Sequence, residues 1–442
     1  MSAIDRPIDR SIDRSIERAI VHSIVREKSE QAGVILEEFG IDCWLTFVRE
    51  TTESGDPVLP LILGQALTWQ SALLITRAGD RIAIVGKFDD GAVRSTGVWT
   101  EVTGYVQSIR DSLLEALSRI DPEKIAINYS KNDVKADGLT HGMFEILCGH
   151  LEGTPWRDRL CSAEGVIGAL RGRKTPGEID RIRQAIATTS EIFRHVAQTV
   201  KPGWTERAVS DFMHEEILRR RLEPAWEWDG CPIVTTGPDS MVGHGRPSEE
   251  LTVHPGGIFH LDFGVREEEY CADLQRCWWV PEALAQNASA QNRSVQNRSV
   301  QNRSVQNPSA EIPSEVQRGF GAVQGAIAAA FEAVRPGVEA WTVDAAARQH
   351  LISAGYDEYQ HATGHQVGRA AHDGATVLGP KWERYGRAPY NRVEVGNVFT
   401  LELGIENLDG RGYLGLEEMI VVTPDGAQWL SEPQSEMWIL GA

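Results

Sequence analysis

Five side chains able to bind a metal ion, Asp262, Asp273, His365, Glu402 and Glu417, lie in separate short apolar segments of the second half of the chain. Together they could hold two divalent cations around one water molecule, and no single local motif in the chain could do so. Four of them are carboxylates, and a carboxylate inside an apolar strand is costly to bury unless a cation or hydrogen bonds compensate it. His365 is the one ligand of the set that is not oxygen. His361 and His365 have the i, i+4 spacing of the helical H-E-x-x-H zinc motif, but Ala362 stands where that motif has Glu, and Gly364 and Gly368 oppose a helix. A loop or strand is expected there instead. Taken singly, an acid on a strand is as readily explained by solvent or a salt bridge, and a lone histidine is more often a packed or surface residue.

Positioning these residues falls to two pairs of strands. Asp262 lies in "GIFHLDFGV" and Asp273 in "YCADLQRCWWV", two strand-like runs separated by the charged "REEE", so a hairpin with both acids on neighbouring strands is expected. Glu402 in "NVFTLELGI" and Glu417 in "YLGLEEMIVVT" form a second such pair, joined by the polar turn "ENLDGRG". Helices should precede each pair. One starts at Thr175, where "TPGE" offers an N-cap hydroxyl, Pro in the first turn and Glu178 for a capping box. Ile179, Ile182, Ile186, Phe193 and Val196 give it a buried face, and a second helix follows through "TERAVSDFMHEEILRRR". The order recurs with "SEVQRGFGAVQGAIAAAFEAV" and "TVDAAARQHLISAG", and the breaks "VKPG" and "VRPG" correspond. An internal duplication follows, with Asp262 and Asp273 in one half, His365, Glu402 and Glu417 in the other, and a metal pair at the pseudo-twofold junction.

Upstream, residues 25–165 alternate strand-like runs ("DCWLTFV", "SALLITRAGDRIAIVG", "EKIAINYS") with helix-like ones ("EKSEQAGVILEEFG", "VQSIRDSLLEALSRI"), which argues for an α/β domain without a glycine-rich phosphate loop. Residues 1–24 carry Ile4, Ile8, Ile12, Ile16, Ile20 and Ile24, a period-four stripe that reads as a helical arm or as a disordered low-complexity expansion. A five-residue repeat, "QNRSV", fills much of residues 286–310; its polar composition cannot pack a core, and an exposed loop is expected. Residues 166–442 otherwise form the expected catalytic domain.

The 63 acidic residues against 44 basic ones give a net charge of -19, which disfavours nucleic acid and anionic membrane as partners. Cys43, Cys148, Cys161, Cys231, Cys271 and Cys277 form no C-x-x-C pair or disulfide-like spacing, as suits a reducing compartment. No apolar stretch approaches the length of a membrane span and the charged amino terminus lacks the core of a signal peptide, so a cytoplasmic address is expected.

The segments "VGHGRPS", "HLDFGVREEEYCADLQR", "HATGHQVGRAAHD", "VEVGNVFTLELGI" and "LEEMIVVTPDG" resemble the pita-bread metallopeptidases, the superfamily of aminopeptidase P, prolidase, methionine aminopeptidase and creatinase. The likeness covers the chain after about residue 165 and is nearest to the Xaa-Pro peptidases; that of the first domain to their amino-terminal domain is looser. It implies an α+β pita-bread domain with internal pseudo-twofold duplication behind an α/β domain that helps form a homodimer. It also implies the ligand assignment: Asp262 to one metal, His365 and Glu402 to the other, Asp273 and Glu417 bridging. Such a pair polarises the scissile carbonyl and lowers the pKa of a bridging water. Hard oxygens with one imidazole make manganese or cobalt the expected ions, with zinc or iron as alternatives. By the same resemblance Glu402 is the proton shuttle, His244 contacts the substrate near its amino-terminal side, and His361 and His372 bind its backbone and the oxyanion.

One departure stands out. These peptidases commonly carry Arg two residues before the second glutamate, where this chain has Gly415; Arg411, Arg369 and Arg392 are candidates to replace it, and the sequence selects none. The expected activity is metal-dependent exopeptidase cleavage of short peptides at Xaa-Pro bonds. A creatinase-like C–N hydrolase or lyase, and a peptide-binding module without activity, are the alternatives on the same fold.

Overall fold

A computed structural model of the chain describes residues 10–53, 55–243, 245–282 and 311–441, with side chains from residue 23 onward. It comprises two compact units, Met1–Glu178 and Ile179–Ala442.

In chain order the first unit holds helix α1 (Arg10–Phe39), β1 (Cys43–Val48), α2 (Leu59–Ile62), β2 (Ser71–Thr76), β3 (Arg81–Gly86), α3 (Asp90–Ser95) and β4 (Glu101–Tyr105). There follow α4 (Arg110–Ile120), β5 (Ile125–Ile127), α5 (His141–His150), β6 (Leu160–Ser162) and α6 (Glu164–Gly172). The strands make one mixed sheet in the order β4-β3-β2-β1-β5-β6. Strand periodicity divides β1 between two cores: Trp44 and Val48 pack with α1 and α6 residues such as Ile35, Leu36 and Ile167, whereas Cys43, Leu45 and Phe47 pack with Leu113 and Leu117 of α4 and Leu147 of α5. Both faces are covered, which is why all six residues of β1 are buried and all but Thr46 are apolar. The segments β4, α5 and β6 carried no signal noticed in the sequence. The isoleucine repeat enters α1 from residue 10; of its six isoleucines Ile24 has a described side chain, which is buried, and the side chains of the others lie outside the described residues.

The division between the units falls in the first turn of α7 (Pro176–Thr199). The capping box at its start is formed: Thr175 N donates to Glu178 Oε2 at 2.8 Å and Glu178 N donates to Thr175 Oγ1 at 3.3 Å. Lys28 of α1, fully buried, pairs with the same carboxylate at 2.8 Å.

In the second unit α7 and α8 (Glu206–Arg220) are followed by β7 (Glu223–Pro224), β8 (Ile233–Thr236), β9 (Ile258–Phe263), β10 (Val265–Glu267), β11 (Tyr270–Cys271) and β12 (Leu274–Trp279). After the repeat loop, which lies outside the described residues, come α9 (Ser314–Ala333), α10 (Ala340–Ser353), β13 (Gly364–His365), β14 (Val377–Leu378), β15 (Val398–Ile405), β16 (Leu414–Thr423), β17 (Gly426–Trp429) and β18 (Trp438–Ile439). A seven-stranded sheet has the path β15-β16-β12-β9-β8, with β17 on β16 and β18 on β12. Its centre is thus where the strands of the first helix-pair repeat meet those of the second. Phe259, Leu261 and Phe263 of β9 pack on Ile182, Phe193, Val196, Val209 and Met213 of α7 and α8. Phe399, Leu401 and Leu403 of β15 pack in the same way on Val316, Phe320, Val323 and Val343 of α9 and α10. Helices therefore cover the odd-numbered positions of both strands, and period two turns residues 260, 262, 402 and 404 to the opposite face. This is a pita-bread fold.

The expected hairpin of Asp262 and Asp273 needs one correction. Beyond Phe263 the ribbon leaves the large sheet, and β10 and β11 join β7 in a separate three-stranded sheet with Glu268 and Glu269 at positive φ in the turn. Asp273 consequently sits in the break between β11 and β12 rather than within a strand. The polar turn sequence gave no sign of this change of sheet, because it depends on pairing with β7, some forty residues away.

Candidate metal centre

Antiparallel pairing lines up a row of polar residues across the large sheet. Asp262 on β9 stands opposite Gln275 on β12, Gln275 opposite Glu417 on β16, and Glu417 opposite Glu402 on β15. Asp273 is two residues before Gln275. His365 comes from the short strand β13, where Gly364 allows close approach: a Cβ there would overlap the Thr400 carbonyl of β15. Its Nε2 is 3.7 Å from Asp273 Oδ2, 3.7 Å from Glu402 Oε1 and 3.9 Å from Glu417 Oε1. Asp273, His365 and Glu417 each offer an atom within 4.8 Å of the others. The neither-helical reading of the His361–His365 segment is what the backbone adopts.

The electrostatics of this row are unfavourable without a cation. Burial pushes the carboxyls of Asp262 and Glu402 up to about 7 and about 8, and those of Asp273 and Glu417 well above the carboxylate range, with mutual repulsion adding to all but Asp262. Burial and then His372 push the imidazole of His365 down to about 3, which leaves it neutral and able to donate a lone pair. Asp262 Oδ1 and Glu417 Oε2 are buried without a hydrogen-bond partner. Buried carboxylate oxygens rarely lack one. Unsatisfied hard oxygens beside a neutral imidazole fit a divalent cation.

Of the auxiliary histidines, His372 packs edge-on against His365, ring centroids 4.2 Å apart. His361 is exposed, and its backbone carbonyl accepts a hydrogen bond of 2.8 Å from Arg348 Nη2. Arg348 is held in turn by two bonds to Asp344, whose Oδ1 also accepts from Thr363 N and Oγ1, so this buried pair anchors the chain just before His365. His244 lies outside the described residues.

The place of the missing arginine is filled from within the chain. A Cβ on Gly415 would overlap the Tyr413 ring and meet Gln275 Oε1 at 2.6 Å; one on the facing Gly404 would overlap the Tyr413 hydroxyl. Arg411, Arg369 and Arg392 are engaged elsewhere, with Glu315 and the Gly256 carbonyl, with Glu269, and with the Gly337 carbonyl. Sequence reasoning missed Gln275 and Tyr413. The alternation around Asp273 and Glu417 was a signal for Gln275, which shares their face of the sheet; Tyr413 had none.

A family model, metallopeptidase family M24, matches residues 180–424. A probable dipeptidase PepE of Mycobacterium tuberculosis is 32% identical over 270 residues, 60% of this chain and 60% of that protein. The chain therefore matches about 60% of the length of that relative. A Xaa-Pro dipeptidase from Bacillus anthracis superposes with a TM-score of 0.67 at 22% identity, covering 94% of this chain and 100% of that one. Dipeptidase PepE from Mycobacterium ulcerans gives 0.66 at 22% identity over 95% and 98%.

Proposed function

The chain belongs to metallopeptidase family M24, and we propose that it is an exopeptidase that hydrolyses short peptides at Xaa-Pro bonds. The observation that carries this reading is the approach of Asp273, Glu402 and Glu417 to His365, with Asp262 in the same cross-strand row and unsatisfied oxygens on Asp262 and Glu417. Asp262, Asp273, His365, Glu402 and Glu417 would hold two divalent cations, manganese or cobalt being favoured by the oxygen-rich donor set. Bound there, the cations would polarise a peptide carbonyl and lower the pKa of a water shared between them. Glu402, half-buried and beside His365, takes the proton from the attacking water and returns it to the leaving nitrogen. His372, exposed at the edge of His365, and His361 hydrogen-bond the substrate backbone and the carbonyl oxygen as negative charge develops on it, and His244 contacts the substrate near its amino-terminal side. The protein works as a homodimer, as its resemblance to prolidase and aminopeptidase P implies, and in the cytoplasm, an address supported by six free cysteines.

Metal analysis of the purified protein, with assays of Xaa-Pro dipeptides and Xaa-Pro-Xaa tripeptides after manganese or cobalt addition, tests this. Bound metal and metal-dependent cleavage are expected; neither metal nor cleavage would overturn it. A second reading, a dipeptidase without strict proline preference, is favoured by the filled space over Gly415. Equal rates on Xaa-Pro and Xaa-Ala dipeptides would select it.

A further inference from the structure

Gln275 is the single neutral member of the polar row, standing between Asp262 and Glu417 on the neighbouring strands. Its side chain bridges two groups. Nε2 lies 3.2 Å from Glu402 Oε2, and Oε1 lies 3.0 Å from His260 Nε2. His260 Nδ1 is in turn 3.2 Å from Thr235 Oγ1 on β8. His260 and Gln275 are both almost completely buried, and the Tyr413 ring packs edge-on against His260 at 4.8 Å.

With Glu402 ionised, as it is when it holds a cation, the direction of every bond in this chain of groups follows. An ionised Glu402 can only accept, so the amide nitrogen of Gln275 must face it and the amide oxygen must face His260. An amide oxygen also only accepts, so His260 carries its proton on Nε2. That leaves Nδ1 as the acceptor of the Thr235 hydroxyl. Four strands, β8, β9, β12 and β15, thus supply one residue each to a line of donors that ends on a single carboxylate oxygen.

We propose that Gln275 is a positioning residue for Glu402, holding one oxygen of its carboxylate while His260 and Thr235 hold the amide in its donating orientation. The proposal rests on the metallopeptidase reading of the row. A carboxylate that must both contact a cation and exchange a proton needs a fixed orientation, and a directed hydrogen bond to one oxygen supplies it. Tyr413 completes the arrangement by closing the space over Gly404 and Gly415, so Gln275 and His260 are confined from the side where these peptidases commonly carry arginine.

The test uses the full-length protein and reads manganese binding by titration calorimetry alongside kcat and KM on an Xaa-Pro dipeptide. Gln275→Leu, which keeps the volume and removes both polar atoms, is expected to weaken manganese binding and lower kcat by about 10–100-fold, with KM little changed. Thr235→Val leaves Gln275 in place and is expected to lower both several-fold, yet to add nothing in the Gln275→Leu background, because it acts through Gln275. A Gln275→Leu protein with wild-type manganese affinity and kcat would overturn the proposal, as would additive losses in the double variant. Should Gln275→Leu fail to fold, Thr235→Val alone decides: unchanged manganese binding and kcat overturn it. Wild-type protein that binds manganese without cleaving Xaa-Pro peptides would overturn the substrate assignment only, and the binding isotherms would still decide on Gln275. Wild-type protein that binds no divalent cation would overturn both.

Discussion

Asp56 in the first unit and Asp262 in the second are both carboxylates that burial pushes above their ordinary range, and they differ in what surrounds them. Asp56 Oδ1 accepts from Val58 N at 3.0 Å and Oδ2 from Asn128 Nδ2 at 2.8 Å. Asn128 also accepts from Trp44 Nε1 at 2.6 Å. Both oxygens of Asp56 are therefore served by the protein, and Gly138 packs so close that a Cβ would overlap the carboxylate. Asp262 has an oxygen with no donor. The same contrast holds between adjacent residues of β16. Glu418 is buried against Arg276 at 3.0 Å, Ser431 Oγ at 2.7 Å and Gln434 N at 2.8 Å, whereas Glu417 on the other face keeps an unsatisfied oxygen. Burial alone does not mark a site; burial left uncompensated by the chain's own donors does.

Substitutions can break this distinction directly. Glu402→Gln should lower kcat by about 10²–10⁴-fold, the usual worth of a proton-transfer group, with little change in the melting temperature of metal-free protein. Removing one member of a compensated pair should do the reverse. Arg276→Leu strands Glu418 and is expected to cost about 3–5 kcal/mol in chemical denaturation. Asp56→Ala leaves Asn128 short of an acceptor and should cost about 1–3 kcal/mol, with manganese affinity unchanged. A loss of manganese affinity in the Asp56 variant would erase the contrast.

The smallest effect is the most diagnostic. In metal-free protein the folded-state pKa of Asp262, about 7, lies above its unfolded value of about 4. Its contribution is therefore full below the unfolded value and is lost as pH rises toward 7, where the unfolded chain has already released its proton. Asp262→Asn cannot suffer this loss. With chelator present, the melting temperature of the variant relative to wild type should rise by a few degrees between pH 4.5 and pH 8. With excess manganese the order at pH 8 should reverse. An unaltered gap would mean that the Asp262 carboxyl is not raised in the folded protein.

Much of the candidate site was legible because its information is local. The alternation in "HLDFGV" and "TLELGI" puts an acid on the face away from the helices, and "TPGE" writes its own capping box. The repeat of two helices followed by strands could be read for the same reason. Less local features could not. The change of sheet after Phe263 depends on β7, and Arg348 supports the His361 backbone through a turn whose course no periodicity records. No arginine replaces the one absent at Gly415, because an aromatic ring from two residues upstream, Tyr413, fills the volume, and ring packing across a strand leaves no charge pattern in the sequence.

By itself the sequence determined which functional groups exist and which face of its strand most of them occupy, since side-chain types and the two-residue pleat need no partner to specify them. Tertiary structure alone decided that Asp262, Gln275, Glu417 and Glu402 stand in one row, because cross-strand register is set by packing between segments up to about 140 residues apart. It also decided that Gln275 links Glu402 to His260 and that Tyr413 covers Gly415. Those contacts depend on where side chains end in space, and distance along the chain does not encode that.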